Sequence, residues 1–324
     1  MLSHLMSAMP ATDIRWQTVL MSTTTQKLGK LITETQHPKT LALSTLAQHD
    51  LPQAMASLQA IDLNTLAVLK NTLDGIYGMA AAVRNTLAQG GNIFLCGCGS
   101  TGRVSLALET LWRELHPQSD LHDRIIAFMA GGDIALIKAV EEFEDYPVYG
   151  ARQLMELAFS SNDLLISTTE GGETPFVIGA TEKAAEVSQR APYFLYCNPD
   201  KILLEVADRS RRVIEHEKIR KLNLTVGPMA ISGSTRMQAS TILMSAVGLA
   251  LTHYKEISKN SPFEGGRGVL KTFALSQELE TLYNFYKQLD VTFLQDFIKE
   301  ESAVYQQRGY VFYEADEDFA ISVL

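Results

Sequence analysis

The sequence contains few cysteines, three among 324 residues, and this scarcity excludes a disulfide framework. Cys96 and Cys98 lie at the end of an apolar segment, where packing explains them better than a metal or redox pair, and Cys197 stands alone. So few cysteines in an odd number are typical of a reducing compartment. We therefore expect a cytoplasmic protein that holds no metal and no cofactor.

The sequence also lacks an excess of positive charge. It has 28 lysines and arginines against 37 aspartates and glutamates, which gives a formal net charge of −9. A chain of this charge has no general electrostatic attraction for nucleic acid or for an anionic membrane, and we expect it to bind neither. Any anionic ligand must be held by local groups.

Long apolar stretches are missing as well. The longest, 239–251, is interrupted by serine, threonine and glycine, and it is shorter than the roughly 20 residues that span a bilayer. Near the amino terminus, no basic region is followed by an apolar stretch and a small-residue cleavage site, so we expect no secretory signal. Residues 239–251 are predicted to form a buried helix.

Short apolar segments alternate with helical periodicity through the middle of the chain, which is typical of a parallel sheet covered by helices. The predicted strands are 92–96, 124–130, 163–168, 193–197 and 222–226. The predicted helices are 41–58, about 62–89, 101–115, 133–145, 151–159, 174–189 and 239–251, with a further possible helix over 14–28. This pattern predicts an α/β fold.

We expect the chain to have three parts. Residues 1–60 form an N-terminal helical extension, 61–258 the α/β domain and 259–324 a C-terminal helical segment. The α/β domain opens with the long helix that Asp62 or Asn64 can cap. Residues 268–307 are predicted to be largely helical and 310–313 to be a strand. An apolar stretch after a new strand is typical of the opening of a second domain, so we expect the segment to lead into one.

The first candidate site is the loop after the first predicted strand, because ligands of parallel α/β sheets bind beyond the carboxyl ends of the strands. Its glycines let the backbone approach an anion, and the start of the following helix supplies N–H groups. We expect the hydroxyls of this loop to face solvent and to bind a phosphate. The residues involved are Gly99, Ser100, Thr101, Gly102 and Arg103.

The same loop also reads as G-x-G-x-x-G, which makes a dinucleotide-binding domain an alternative. That alternative needs an acidic residue at the end of the next strand to hold a ribose. Residues 124–130 run into Gly131 and Gly132 instead. We therefore favour phosphate binding over dinucleotide binding.

The second candidate site is the loop after the third predicted strand. It again combines hydroxyls with glycine at the start of a helix, and Pro175 suits the first turn of that helix. The alternative is a well-capped turn in which Thr174 serves only as the N-cap. The residues expected to bind phosphate here are Thr168, Thr169, Gly172 and Thr174.

The third candidate site precedes the predicted buried helix. Ser234 or Thr235 is expected to cap that helix, and Arg236 adds a fork-shaped donor that suits phosphate or carboxylate. The alternative is that Arg236 pairs with a nearby acid. We expect all three residues to contribute to ligand binding.

Several stretches match, in order, the motifs of one known family. They are Thr33-Glu34, His37-Pro38-Lys39-Thr40, the 97–103 loop, 130–132 with Glu144-Asp145, 174–180, and 227–228 with 233–237. Over roughly 31–254 the chain resembles the sugar isomerase (SIS) domain family, and more narrowly its N-acetylmuramic acid 6-phosphate etherases and glucokinase regulatory proteins.

The resemblance implies a three-layer α/β/α sandwich around a five-stranded parallel sheet. It also implies a protein that is usually dimeric and that binds a phosphorylated hexose, hexosamine or muramic acid at the strand ends. It also implies two glutamates for etherase chemistry. The second matches Glu144, whereas the first falls at Leu111, which cannot transfer a proton. Helical spacing with Val104 and Leu108 predicts that Leu111 belongs to the core.

Glu144 has two interpretations. On a continuous helix over 133–145 it shares a face with Ile137 and Val140, which would turn it inward toward a ligand. The alternative is a solvated acidic face, because other carboxylates crowd the same end of the predicted helix.

Three functions therefore stay open. The favoured one is a sugar-phosphate-binding protein without etherase turnover, which we expect to form a homodimer. The second is a lyase or an aldose–ketose isomerase that uses Glu144 as its base. The third is an interaction protein whose loops are empty.

Overall fold

The computed structural model describes residues 28–138, 140, 142–234, 236–256 and 273–314. The possible helix over 14–28 lies outside these residues except for its last position. Thr235, one of the expected phosphate-binding residues, lies outside them too.

In the described residues, five strands form one parallel sheet: β1 Ile93–Gly97, β2 Ile125–Met129, β3 Leu164–Thr168, β4 Tyr193–Tyr196 and β5 Arg220–Asn223. Their order across the sheet is β2-β1-β3-β4-β5. Ile93 of β1 lies opposite Ile125 on one side and Leu164 on the other. The predicted α/β fold with a five-stranded parallel sheet is confirmed.

Helices lie before, between and after the strands in the described residues. They are α1 Leu43–His49, α2 Leu51–Val68, α3 Leu73–Ala88, α4 Gly99–Leu115, α5 Ile134–Ile137, α6 Pro147–Glu156, α7 Pro175–Val187, α8 Asp200–Val206, α9 Asp208–Glu215, α10 Gln238–Thr252, α11 Phe273–Gln288 and α12 Leu294–Gln306. Proline occupies the first turn of α2, α6 and α7, where the missing N–H costs no intrahelical bond. Asp50 caps α2 by accepting a hydrogen bond from the Gln53 amide at 3.0 Å.

The core has two halves, one on each face of the sheet. Successive side chains of β1 alternate between them, since Ile93 and Leu95 belong to one half and Phe94 to the other. The first half is completed by α3, α4 and α10, and the second by α6, α7, α8 and α9. Both faces of the sheet are therefore covered, which makes the domain a three-layer sandwich.

The helix predicted over 133–145 is wrong in its length. α5 ends at Ile137, Lys138 is extended, and a separate 3₁₀ turn covers Phe143–Asp145. Glu142 takes a left-handed conformation with φ of 72°, which no α-helix accommodates. Carboxylates crowded at a helix C-terminus also oppose the helix dipole. Glu144 therefore does not share a helical face with Ile137, whose side chain is exposed.

The single long helix predicted over about 62–89 is in fact two helices. α2 continues to Val68, a 3₁₀ turn covers Leu69–Asn71, and α3 begins at Leu73. Asp62 lies inside α2 rather than at a cap, where its carboxylate accepts a hydrogen bond from the Tyr286 hydroxyl of α11 at 3.0 Å. The polar residues after Leu69 allow the chain to turn there.

The strand predicted over 310–313 is also wrong. Residues 309–314 have no regular structure, and the side chains of Tyr310 and Phe312 are almost fully exposed. A strand needs a neighbour to satisfy its backbone groups, and in the described part of the chain none lies beside this segment. Before it, α11 and α12 confirm helical structure for the described part of 268–307.

Candidate functional site

A crevice of about 320 Å³ opens at the carboxyl ends of β1 and β3. The chain continues from β1 to β2 on one side of β1, whereas β3 lies on the other side. The loops that follow β1 and β3 therefore turn in different directions, and a gap forms between them. This topological switch point is where open α/β sheets bind ligands. The loops after β1 and β3, which the sequence singled out, both line the crevice.

The loop after β1 passes directly into α4. Gly99 has φ of 52°, a conformation that favours glycine, and it begins the helix. A Cβ atom on Gly97 would lie 2.4 Å from the Thr101 backbone, and one on Gly102 would lie 2.5 Å from the Met129 Cβ. The glycines therefore allow α4 to approach β1 and β2 closely, and this packing role accounts for their spacing.

Thr101 does not have the environment that was expected. Its side chain is 4% exposed, so the expectation that its hydroxyl faces solvent is wrong. The hydroxyl donates to the Cys98 carbonyl oxygen at 2.9 Å and accepts from the Cys98 amide at 3.0 Å. It thereby satisfies backbone groups at the start of α4, as a capping side chain does. Ser100 lines the crevice beside Thr101, while Arg103 does not reach it.

The loop after β3 is held by its own side chains. The hydroxyls of Thr169 and Thr174 lie 2.9 Å apart, and Thr169 also accepts from the Gly172 amide at 3.3 Å. Thr168 donates to the Cys96 carbonyl oxygen at 3.3 Å, which ties this loop to β1. Thr174 occupies the N-cap position of α7, but its hydroxyl makes no capping bond. A capping role alone therefore does not explain Thr174.

The third loop lies apart from the crevice. Ser234 is half-buried and Arg236 is exposed, and neither lines the crevice. α10 begins at Gln238 with Met237 at its N-cap position, so the expectation that Ser234 caps this helix is wrong, while Thr235 lies outside the described residues. The buried Gln238 side chain organises the loop instead, since it accepts from the Ala230 amide at 2.8 Å and donates to the Pro228 carbonyl oxygen at 2.7 Å.

Residues 31–37, here called the N-terminal segment, bring a further side chain into the crevice. The buried amide of Asn198 accepts from the Ile32 amide at 2.9 Å and donates to the Thr33 hydroxyl at 2.9 Å. His37 donates its backbone N–H to the Met229 carbonyl oxygen at 2.9 Å. These bonds place Glu34 in the wall of the crevice. Thr33-Glu34 and His37 belong to the family motifs, but the sequence alone did not predict that this segment contributes to the site.

Carboxylates dominate the wall of the crevice. The acidic residues that line it are Glu34, Glu144, Asp145, Glu170 and Glu173, and Arg209 of α9 pairs with Glu173. Burial raises the pKa of the Glu170 carboxyl to about 7, and the charges of Glu34 and Glu173 add to the shift. In the described part of the chain, no group of three or more His, Cys, Asp or Glu side chains could hold a metal ion.

Glu144 stands at the crevice on the 3₁₀ turn before α6. Its carboxylate accepts a hydrogen bond from the Cys98 thiol at 2.8 Å. Burial, reinforced by Glu144, raises the pKa of the Cys98 thiol well above its usual range. Cys98 is therefore a neutral hydrogen-bond donor rather than a nucleophile. No motif or spacing in the sequence predicts its contact with Glu144.

Leu111 is not a core residue. It is 38% exposed, so the prediction that its helical spacing with Val104 and Leu108 buries it is wrong, and Leu115, one turn further along, is 60% exposed. Val104, Leu108 and Trp112 form the buried face of α4 instead. Leu111 lies about 60° around the helix from Leu108, on the edge that turns away from the sheet.

No helix among the described residues is both long and apolar enough to cross a bilayer.

Comparison with known proteins places these features in a family. The model of the glucokinase regulatory protein N-terminal SIS domain matches residues 76–185. An N-acetylmuramic acid 6-phosphate etherase of Enterobacter sp. (strain 638) is 30% identical over 215 residues, 66% of this chain and 66% of the relative. An etherase of the same name from Yersinia pestis (strain Pestoides F) is 30% identical over 218 residues, 66% of this chain and 67% of the relative.

The match to the Enterobacter etherase thus covers just under two thirds of that relative's length. Among solved structures, phosphoheptose isomerase from Neisseria gonorrhoeae aligns with a TM-score of 0.45 and 15% identity, over 64% of this chain and 100% of that chain. With 30% identity over two thirds of the Yersinia etherase, this chain belongs to the sugar isomerase (SIS) domain family.

Proposed function

We propose that this chain binds a phosphorylated sugar in the crevice between β1 and β3, without etherase turnover. The observation that carries the proposal is the meeting of two helix starts at the switch point of the sheet. α4 begins at Gly99 and α7 at Pro175, and both residues line the crevice. The first turn of a helix presents backbone N–H groups that lack an intrahelical acceptor, and the helix dipole favours an anion there.

The class of ligand follows from the relatives. The matched etherases are named for a phosphorylated muramic acid. A hexose, hexosamine or muramic acid 6-phosphate is therefore the ligand we propose. A crevice of about 320 Å³ lies in the range of small-molecule sites.

The absence of turnover is proposed from the two glutamates that the family resemblance implies. Glu144 stands in the wall of the crevice. The other position is Leu111, whose side chain has no group that can give or take a proton. One proton-transfer group of the two is thus missing.

Thermal unfolding with a panel of 6-phosphosugars tests the proposal. We expect the melting temperature to rise with ligand concentration and to saturate, because a ligand that binds only the folded chain stabilises it. The same sugars without phosphate are the control and should give a much smaller rise. If no phosphosugar changed the melting temperature, the proposal would be wrong, and a rise in stability with a protein partner would then favour an interaction protein with empty loops.

A second candidate function is a lyase or aldose–ketose isomerase with Glu144 as the general base. It is favoured by the position of Glu144 in the crevice, where the Cys98 thiol orients the carboxylate through a hydrogen bond. Product formation from any phosphosugar, lost in Glu144→Gln, would support it over binding alone.

The expected homodimer stays a prediction, which light scattering on the purified chain can test.

A further inference from the structure

Glu170 is a buried carboxylate without a partner in the crevice. It follows β3 directly, its side chain is 7% exposed, and it lines the crevice. Its backbone carbonyl oxygen accepts from the Cys197 amide at 3.0 Å, which fixes the main chain here. No described residue donates a hydrogen bond to its carboxylate. A buried carboxylate that lacks donors is costly, so this group is suited to receive a donor from a ligand.

The surroundings of Glu170 favour a positive donor over a neutral one. Glu34 and Glu173 lie close enough to raise its pKa through their charges. Among the residues that line the crevice, all of which are described, Arg209 alone carries positive charge, and it is paired with Glu173. A hydroxyl can donate to Glu170 but leaves this negative charge in place, whereas an ammonium group also offsets it.

The same crevice offers a place for an anion. The starts of α4 and α7 line it together with the acidic residues, and a phosphate held at these helix starts carries a negative charge of its own. A ligand with phosphate at one end and an ammonium group at the other would match both parts of the crevice. A ligand with phosphate alone would match only the helix starts and would be repelled by the carboxylates.

We propose that Glu170 binds the ammonium group of an amino sugar phosphate, so that the crevice prefers a phosphosugar with a free amine to one with a hydroxyl at the same carbon. This inference rests on the proposed function, because it assumes that the phosphate occupies the helix starts. It narrows the ligand from phosphosugars in general to those with a free amino group.

Calorimetry with two ligands at about pH 7.5 tests the inference. Glucosamine 6-phosphate and glucose 6-phosphate differ only in the amine and the hydroxyl at one carbon. We expect wild-type protein to bind glucosamine 6-phosphate about ten- to hundredfold more tightly, the range that one charge-assisted hydrogen bond supplies. In Glu170→Gln the two affinities should become nearly equal, because glutamine keeps the shape but not the charge.

Glu186→Gln is the matched control. Glu186 is exposed, pairs with Lys183 and lies close to the end of α7 that is remote from the crevice. Its replacement should therefore leave the preference for glucosamine 6-phosphate over glucose 6-phosphate unchanged. Equal affinity of the wild type for both ligands, or an unchanged preference in Glu170→Gln, would overturn the inference while the proposed function stands. If neither of these two ligands bound, the inference would be overturned, and the proposed function would be overturned with it only if the whole panel of 6-phosphosugars also failed to raise the melting temperature. The wild-type comparison decides the matter even if a variant fails to fold.

Discussion

Replacement of Glu170 by glutamine should change how the stability of the fold depends on pH. Burial, with smaller contributions from Glu34 and Glu173, raises the pKa of the Glu170 carboxyl from its ordinary 4.5 to about 7. The folded chain therefore holds this proton more tightly than the unfolded chain does. The stability that this group contributes is complete below about pH 4.5 and is lost as the pH rises past 7. Glutamine has no proton to lose.

The size of the effect follows from the two pKa values. One pKa unit corresponds to about 1.4 kcal/mol, so the step from 4.5 to about 7 corresponds to at most about 3 kcal/mol. Because the Glu170 side chain is 7% exposed, solvent screening removes only part of this. We expect the free energy of unfolding of Glu170→Gln, relative to that of the wild type, to rise by about 2–3 kcal/mol between pH 4 and pH 8.

Urea unfolding at a series of pH values, followed by circular dichroism, measures this difference. Glu186→Gln provides the baseline, because it also replaces a carboxylate by an amide but at an exposed position away from the crevice. The reasoning would be refuted if the stability of Glu170→Gln and of the wild type kept a constant difference from pH 4 to pH 8. That result would mean that the carboxylate finds a partner or water in solution.

Three further substitutions test how the crevice is built. Thr101→Ala should lower the free energy of unfolding by about 1–3 kcal/mol, because it leaves the Cys98 backbone groups without their partner. Chemical unfolding measures this change, and an unchanged free energy of unfolding would contradict the capping role. Asn198→Ala should lower the free energy of unfolding by about 2–3 kcal/mol and speed amide hydrogen exchange in the N-terminal segment. Exchange as slow as in the wild type would mean that other contacts hold this segment. Gly102→Ala should lower the free energy of unfolding by about 1–3 kcal/mol, because the new Cβ would lie 2.5 Å from the Cβ of Met129. An unchanged free energy of unfolding would show that α4 can shift away from Met129.

The sheet could be predicted from the sequence because its strands are buried on both faces. Residues 93–97 and 164–168 are continuous apolar or small runs bounded by polar loops, a signal that depends only on neighbours along the chain. The helix starts at Gly99 and Pro175 follow from equally local signals, glycine and proline at the turn into a helix. The position of the crevice then follows from the general behaviour of parallel sheets.

The contents of the crevice could not be predicted in the same way. Glu34 enters it because Asn198, which is distant in sequence, holds the N-terminal segment against the sheet. Thr101 has the hydroxyl that a phosphate site needs, but the backbone of Cys98 uses it. Whether a polar side chain serves the ligand or the fold depends on contacts between distant segments, which periodicity and motifs do not contain.

The position of Leu111 on α4 limits what the family motif can predict for a single chain. Leu111 lies twelve residues after Gly99, which places it about 18 Å along α4 from the helix start that lines the crevice. A carboxylate at this position could not reach a ligand held at the start of its own α4. A second chain that presented its α4 to the crevice would bring the glutamate that the resemblance implies there to the ligand. Replacement by leucine therefore removes from such an assembly the second proton-transfer group that etherase turnover needs, and in an isolated chain position 111 supplies Glu144 with no such partner either.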